Sequence, residues 1–308
     1  LIIFYDKMSI IEPLINLLKE YKEYDLLSSL LFVDKEYHDY ISRFNLGIVQ
    51  VMKNNDYDKW KYLNCSFDIR FKITHLNYKN IVGLNLSYNY YIKDINMLTS
   101  LTSLNLSYNY TVKDISMLNN LTNLDIHDNQ VIQNINMLTN LTSLNLYNND
   151  TIKDINMLIN LTTLNIRYNN IIKDINMLTN LTTLNISYNY TIKDISMLTN
   201  LTNLDISYNT TIEDISMLTK LTSLKLYNNN TIKDISMLTN LTTLDLHYNN
   251  TIKDISMLAN LTTLNLFGNY VIKNISMLNN LTNLYVDKSY AIKDISELTN
   301  LNIVIMDY

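Results

Sequence analysis

From Ile81 to the end of the chain the hydrophobic positions recur every twenty residues, in register, through eleven full copies and a truncated twelfth. The copies open at Ile81, Leu101, Leu121, Leu141, Leu161, Leu181, Leu201, Leu221, Leu241, Leu261, Leu281 and Leu301. In the copy LTNLDIHDNQVIQNINMLTN, Leu121, Leu124, Ile126, Ile132, Ile135 and Leu138 are apolar, and Asn129 punctuates them. The alternation Leu124-Asp125-Ile126 predicts a very short strand, with the outer side chains inward and the middle one outward. Ile132, Ile135 and Leu138 fall three apart, a spacing that suits a 3₁₀ turn or loose helix on the opposite, convex side. Six apolar side chains cannot offset the ordering of twenty residues, so a lone copy should not fold, whereas a stack gains an interface at each step. A short fixed period therefore predicts a solenoid. Strands ~4.8 Å apart would build one parallel sheet and a curved rod on the order of 50 Å long.

The frame LxxLxLxxN resembles the leucine-rich repeat family. That resemblance implies an α/β solenoid of 20-residue units over 81–308, with the parallel sheet on its concave face and protein partners bound there. The second half of each copy, (T/V)-I-K-D-I-(S/N)-M-L, is similar to the short repeats of internalin-type bacterial proteins, where Pro takes the Met position. Asn stands at one turn position from Asn89 to Asn269, and Ser289 breaks the column. An amide offers donors and an acceptor to otherwise unpartnered turn backbone, so the column reads as structural. Met97 through Met277 form a column of ten, ended by Glu297. Soft metal ligands would have to converge on one point. These are strung along a ladder, which predicts adaptable packing instead.

The first eighty residues lack the period and read helical. Ile11, Leu14, Ile15, Leu17 and Leu18 make one amphipathic stretch, and Asp25 is placed to cap a second that runs to Val33. Met8 to Ile41 resembles the F-box, on Glu12, Leu14, Leu17 and Leu18, the Asp25-Leu26-Leu27 step and the Val33-Asp34-Lys35-Glu36-Tyr37 segment. Ser9-Ile10 stands where that family opens Leu-Pro, and Tyr37 where it has Trp. The resemblance implies a helical module over 1–45 that docks a Skp-type adaptor through Leu14, Leu17, Leu18, Leu26, Leu27, Leu30, Val33 and Tyr37. A plain helical cap on the first repeat is the alternative, since every solenoid needs one. Residues 46–80 would be linker and N-terminal cap, with Ile69 and Phe71 in a degenerate first strand. An F-box before leucine-rich repeats resembles the layout of proteins from AT-rich giant DNA viruses.

Charge divides along the chain. Residues 1–80 hold eleven Lys+Arg against eleven Asp+Glu, and residues 81–308 hold thirteen against eighteen, which accounts for the formal net charge of −5. No basic face suited to nucleic acid results. Adjacent Lys and Asp columns, as at Lys113-Asp114, make a self-neutralising outer surface. No apolar run is long enough to span a membrane, and no leader is visible before the helical pattern. The chain opens at Leu1 rather than Met. The single cysteine, Cys65, fits a reducing compartment. The expected location is cytoplasmic. The many Asn-Leu-Thr triplets match the glycosylation sequon but read as repeat grammar.

Three outward columns build the sheet face, beginning at Asn85, Ser87 and Tyr88. The second mixes Ser, His, Tyr, Arg, Phe and Asp while the inward columns barely vary. Tyr and Arg supply interface anchors. Tyr147, Arg167, Tyr168, Tyr227, His247, Tyr248 and Phe267 are therefore the expected partner surface, against the alternative of drift on a tolerant face. Chemistry is sparsely provided. The chain has four His, one Cys and three Gly, with no metal-ligand spacing and no phosphate loop, so neither metal nor cofactor is expected. The best catalytic arrangement is Ser107, His127 and Asp125 on adjacent strands, but an open sheet offers no walled oxyanion site. The expectation is a non-enzymatic recognition protein. One form is the substrate-binding subunit of a Skp-cullin-type ubiquitin ligase, and the other is a free scaffold or blocking protein.

Overall fold

The computed structural model describes residues 62–64, 81–287, 298 and 301–306. Thirteen strands form one sheet whose spatial order follows the chain. The first is β1 (Tyr62–Asn64), then β2 (Gly83–Asn85), and strands of three residues follow every twenty to β11 (Thr263–Asn265). Five-residue strands β12 (Asn283–Asp287) and β13 (Asn302–Met306) complete it. Every pairing is parallel and, from β2 to β12, joins residues twenty apart, as in Leu104 with Leu124. The ends depart from that step. Tyr62 pairs with Gly83, and Asn283 with Asn302. The sheet thus starts inside the segment expected to be linker and cap. The truncated last copy, read as starting at Leu301, is registered one residue early.

The strand sits one residue before its expected place, on Asn123–Asp125, with Leu124 inward and Asp125 half-exposed. Ile126 is buried just past it, so the predicted alternation holds. The six apolar columns form one continuous core, represented in the middle by Leu181, Leu184, Ile186, Ile192, Ile195 and Leu198. No unit closes on itself. Each lays this row on the rows before and after it, which is how twenty-residue pieces become stable together.

The side opposite the sheet corrects one expectation. Leu98 N–H donates to Ile95 O at 2.9 Å and Leu101 N–H to Leu98 O at 3.0 Å, and each later repeat does the same. These are two separate turns end to end, the turn form of the expectation and not the loose helix. The expected α/β class therefore becomes, among the described residues, strands and turns with no helix. A second correction concerns methionine. Met117 to Met277 are 57–63 % exposed, and Met97 40 %, so the column is an open apolar ridge rather than packing.

Polar ladders hold successive units together. Asn109 Nδ2 donates to Asn89 O at 2.7 Å and Leu86 O at 3.0 Å, while its Oδ1 accepts the N–H groups of Thr111 and Val112, both at 3.0 Å. The whole Asn column is buried in this role, as the sequence predicts. Thr122 Oγ1 donates to Thr102 O at 3.0 Å and Asn120 Nδ2 to Thr99 O at 2.9 Å. Both polar ends of the Asn-Leu-Thr triplet thus have a structural use. In the Lys-Asp columns, Asp194 Oδ1 accepts Ser196 N–H at 2.8 Å, and that bond holds its carboxyl below the usual range.

Candidate functional site

The corner where each strand ends creates the outward face. Leu86 O accepts Asn89 N–H at 3.1 Å, closing a four-residue turn whose third residue, Tyr88, has φ 56°. The equivalent residue is left-handed in every repeat to Gly268, including Tyr108, Tyr168, Tyr188, Tyr208 and Tyr248. This is the sign required at the third position of a type II turn, where Gly or Asn is the usual choice. The twist lets each such N–H reach the next repeat, as Tyr188 N–H does to Ser207 O at 3.0 Å. Asn or Asp directly after the inward leucine stitches the corner. Asn165 Oδ1 accepts Arg167 N–H at 3.1 Å, and Asn185 Oδ1 accepts Ser187 N–H at 3.0 Å.

Rings fill this corner in a line from Tyr88 to Phe267. Tyr88 stacks on Tyr108 at 4.5 Å between centroids, and Tyr168, Tyr188 and Tyr208 stack at 4.3 and 4.2 Å. Between those runs the contacts turn edge-on: Tyr108 to His127 at 5.2 Å, His127 to Tyr147 at 6.2 Å, Tyr147 to Tyr168 at 5.7 Å. Tyr208 leads on to Tyr227 at 4.7 Å, Tyr227 to His247 at 4.4 Å and His247 to Phe267 at 4.8 Å. Offset and edge contacts of this kind are the favoured aromatic arrangements. Arg167 lies among the rings, its guanidinium carbon 5.8 Å from the centre of Tyr147 and 5.1 Å from those of Tyr168 and Tyr188.

All seven residues expected on the partner surface therefore belong to one strip. Sequence reasoning missed its other members, Tyr88, Tyr108, His127, Tyr188 and Tyr208. The missed signal is a coupling between two columns. Ser87-Tyr88, Ser107-Tyr108, Ser187-Tyr188 and Ser207-Tyr208 pair a small residue with a ring, and His127-Asp128, Tyr147-Asn148, Tyr227-Asn228 and Phe267-Gly268 reverse the order. One ring per repeat is supplied from one column or the other, except in the repeat opening at Leu241, where His247 and Tyr248 supply two. Much of the variation that suggested recognition is this exchange.

Phe267 is a correction. It is 6 % exposed and gives little to an outer surface. Its neighbour Gly268 has φ 63°, and a Cβ there would stand 2.2 Å from Tyr248 Cδ1, so only glycine lets that ring lie down. Asp287, read as outward, is buried and accepts Gly268 N–H at 3.1 Å.

Asp125 and His127 do meet, with Oδ1 2.7 Å from Nδ1. That bond, followed by the charge of Asp125, raises the His127 pKa above its ordinary value. Ser107 is buried, and among the described residues no hydrogen bond joins its hydroxyl to His127. The trio thus lacks a nucleophile joined to its base. His247 goes the other way: burial lowers its pKa, and burial raises that of Asp245. Among the described residues no group of three His, Cys, Asp or Glu could hold a metal, and no helix is long and apolar enough to cross a membrane. The eight F-box-like residues, Leu14 to Tyr37, lie outside the described residues, as do Cys65, Ser289 and Glu297.

Residues 179–220 and 219–260 match the family model described as leucine rich repeats, two copies. Among solved structures the chain is similar to an internalin, InlF, of Listeria monocytogenes, at 29 % identity over 75 % of this chain and 82 % of that one, with a TM-score of 0.59. It is similar to the functional domain of InlJ from the same species, at 29 % identity and a TM-score of 0.63, over 81 % of this chain and 60 % of that one. That domain is described as including a cysteine ladder, which a chain with one cysteine cannot carry. A leucine-rich repeat protein of Leptospira interrogans is 26 % identical over 82 % of this chain and 79 % of its own, with a TM-score of 0.64. Comparison with curated proteins gave no match.

Proposed function

We propose that the repeats, which match a leucine-rich repeat model over residues 179–260, form a protein-binding module, that a protein docks along the aromatic strip from Tyr147 to Tyr248, and that residues 1–45 couple it to a Skp-type adaptor of a ubiquitin ligase. The observation that carries the docking half is the continuity of the strip. Rings and one guanidinium touch in an unbroken line across the sheet face, half-exposed and held by a rigid lattice of backbone bonds. Tyrosines fixed by their neighbours lose little conformational freedom on binding, which is what makes them effective anchors. The adaptor half rests on the F-box-like pattern around Leu14, Leu17 and Leu18, and it implies a cytoplasmic site of action.

Affinity capture with the full chain, followed by rebinding of the purified partner, tests docking. Alanine at both Arg167 and Tyr227 should weaken binding by roughly tenfold or more, and unchanged affinity would overturn this half. For the adaptor half, Leu17→Asp should abolish Skp-adaptor pull-down while the repeats melt normally. An intact chain that binds no adaptor leaves a docking protein with no ubiquitin link.

A further inference from the structure

Arg167 is the strip residue that ring supply does not explain. Its repeat already provides Tyr168, and a Ser in its place would match the repeats that carry Tyr188 and Tyr208. It is the one arginine among the described residues. Three tyrosine rings wall its guanidinium. Its Nε is buried without an acceptor, and among the described residues its terminal nitrogens have no hydrogen-bond or ion-pair partner.

The surroundings are as specific as the residue. Across the repeats opening at Leu141, Leu161 and Leu181, the sheet-face positions carry no carboxylate. Asn165 and Asn185, on the Arg167 strand and the next, spend their oxygens on the N–H groups of Arg167 and Ser187. Two strands to one side stand Asp125 and Asp128, and two strands to the other stands Asp205. At ~4.8 Å per strand, each acidic flank is roughly 10 Å from Arg167. The face therefore reads negative, positive, negative across these strands, with His127 against Asp125 and Lys225 one strand beyond Asp205, and the cation is set in a wall of rings where an ionic bond is stronger than in water.

We infer that Arg167 is the receptor for one anionic side chain of the docked protein, a carboxylate or a phosphate ester, in a segment without further acids at the flanking positions. Guanidinium binds either group through two parallel N–H···O bonds. The acidic flanks repel a polyanionic segment and favour one with basic residues about 10 Å from its anion. This rests on the docking reading above and adds the chemistry of its anchor.

The test uses the full chain and arrays of random dodecapeptides whose central residue is fixed as Glu, phosphotyrosine or Gln. Retention should be at least fivefold higher on the Glu or phosphotyrosine array than on Gln, and the stronger of the two identifies the natural anion. Arg167→Gln should remove that preference but keep the Gln-array signal, and Arg167→Lys should restore it in part. Raising salt should erode the preference in the unaltered chain, a readout that needs no variant to fold. Equal retention on all three arrays overturns the inference but leaves docking intact, provided Tyr168→Ala and Tyr188→Ala still abolish it. If retention nowhere depends on Tyr168 or Tyr188, the docking reading falls as well.

Discussion

A tyrosine with positive φ is an uncommon sight, and among the described residues it recurs six times, from Tyr88 at 56° to Tyr248 at 51°. A side chain in this conformation costs ~1–2 kcal/mol relative to glycine. The ring contacts return ~0.5–1.5 kcal/mol per pair beyond their burial. Tyr188, stacked on both sides, separates the two effects. Tyr188→Gly should lower the melting temperature modestly. Tyr188→Ala, which keeps the strain and loses the rings, should lower it further, by about 1 kcal/mol in stability. That order inverts the usual preference for alanine over glycine, and thermal melts of the two variants check it. The two strip histidines should also diverge. His127, raised by Asp125, adds stability that is fully present below the ordinary value of 6.5 and disappears as pH climbs through its native value. His247, lowered by burial, resists the proton that the unfolded chain accepts, so it removes stability as pH falls below 6.5. Nitrogen-resolved NMR titration should place them on opposite sides of 6.5, and Asp125→Asn should bring His127 down.

At the scale of the element, the buried Asn is what makes twenty residues a unit. Asn189 donates to Asn169 O and accepts Thr191 and Ile192 N–H, both at 3.0 Å. Asn189→Ala leaves Asn169 O and Ile192 N–H buried without this partner, at about 1–3 kcal/mol each, and Thr191 N–H half-buried without it. It should depress melting far more than Asn200→Ala, whose exposed amide makes a 3.0 Å bond to Thr179 O. Hydrogen exchange should show protection falling first around residues 186–192. The Asn column was legible because a turn without partners demands such a side chain. The course of the chain from Ile95 to Leu101 was not, because apolar residues three apart fit overlapping 3₁₀ bonds and consecutive separate turns equally well. The left-handed corner was masked by its occupants. Gly268 or Asn148 alone would suggest it, but six tyrosines argue against it until stacking is seen.

For the whole molecule, periodicity alone foretold a parallel sheet in chain order with six buried columns. It could not say which side of the last turn the methionines take, since Met197 and Leu198 are adjacent and equally apolar. The leucine went in and the methionine out, which gives a ridge of ten thioethers along the side away from the strip. Mild peroxide should add one oxygen to each of these ten, read by peptide mass spectrometry, with circular dichroism and melting unchanged. A falling melt would mean that they pack after all. The unvarying step of twenty from Leu84 to Leu284 has an evolutionary consequence. Excising residues 181–200 would rejoin spine and ladders without a seam, yet bring Asp205 one rung nearer Arg167. A slip in copying by one unit of codons thus rewrites the molecule's spacing code, deleting Tyr188 and putting Tyr208 in its place beside Tyr168.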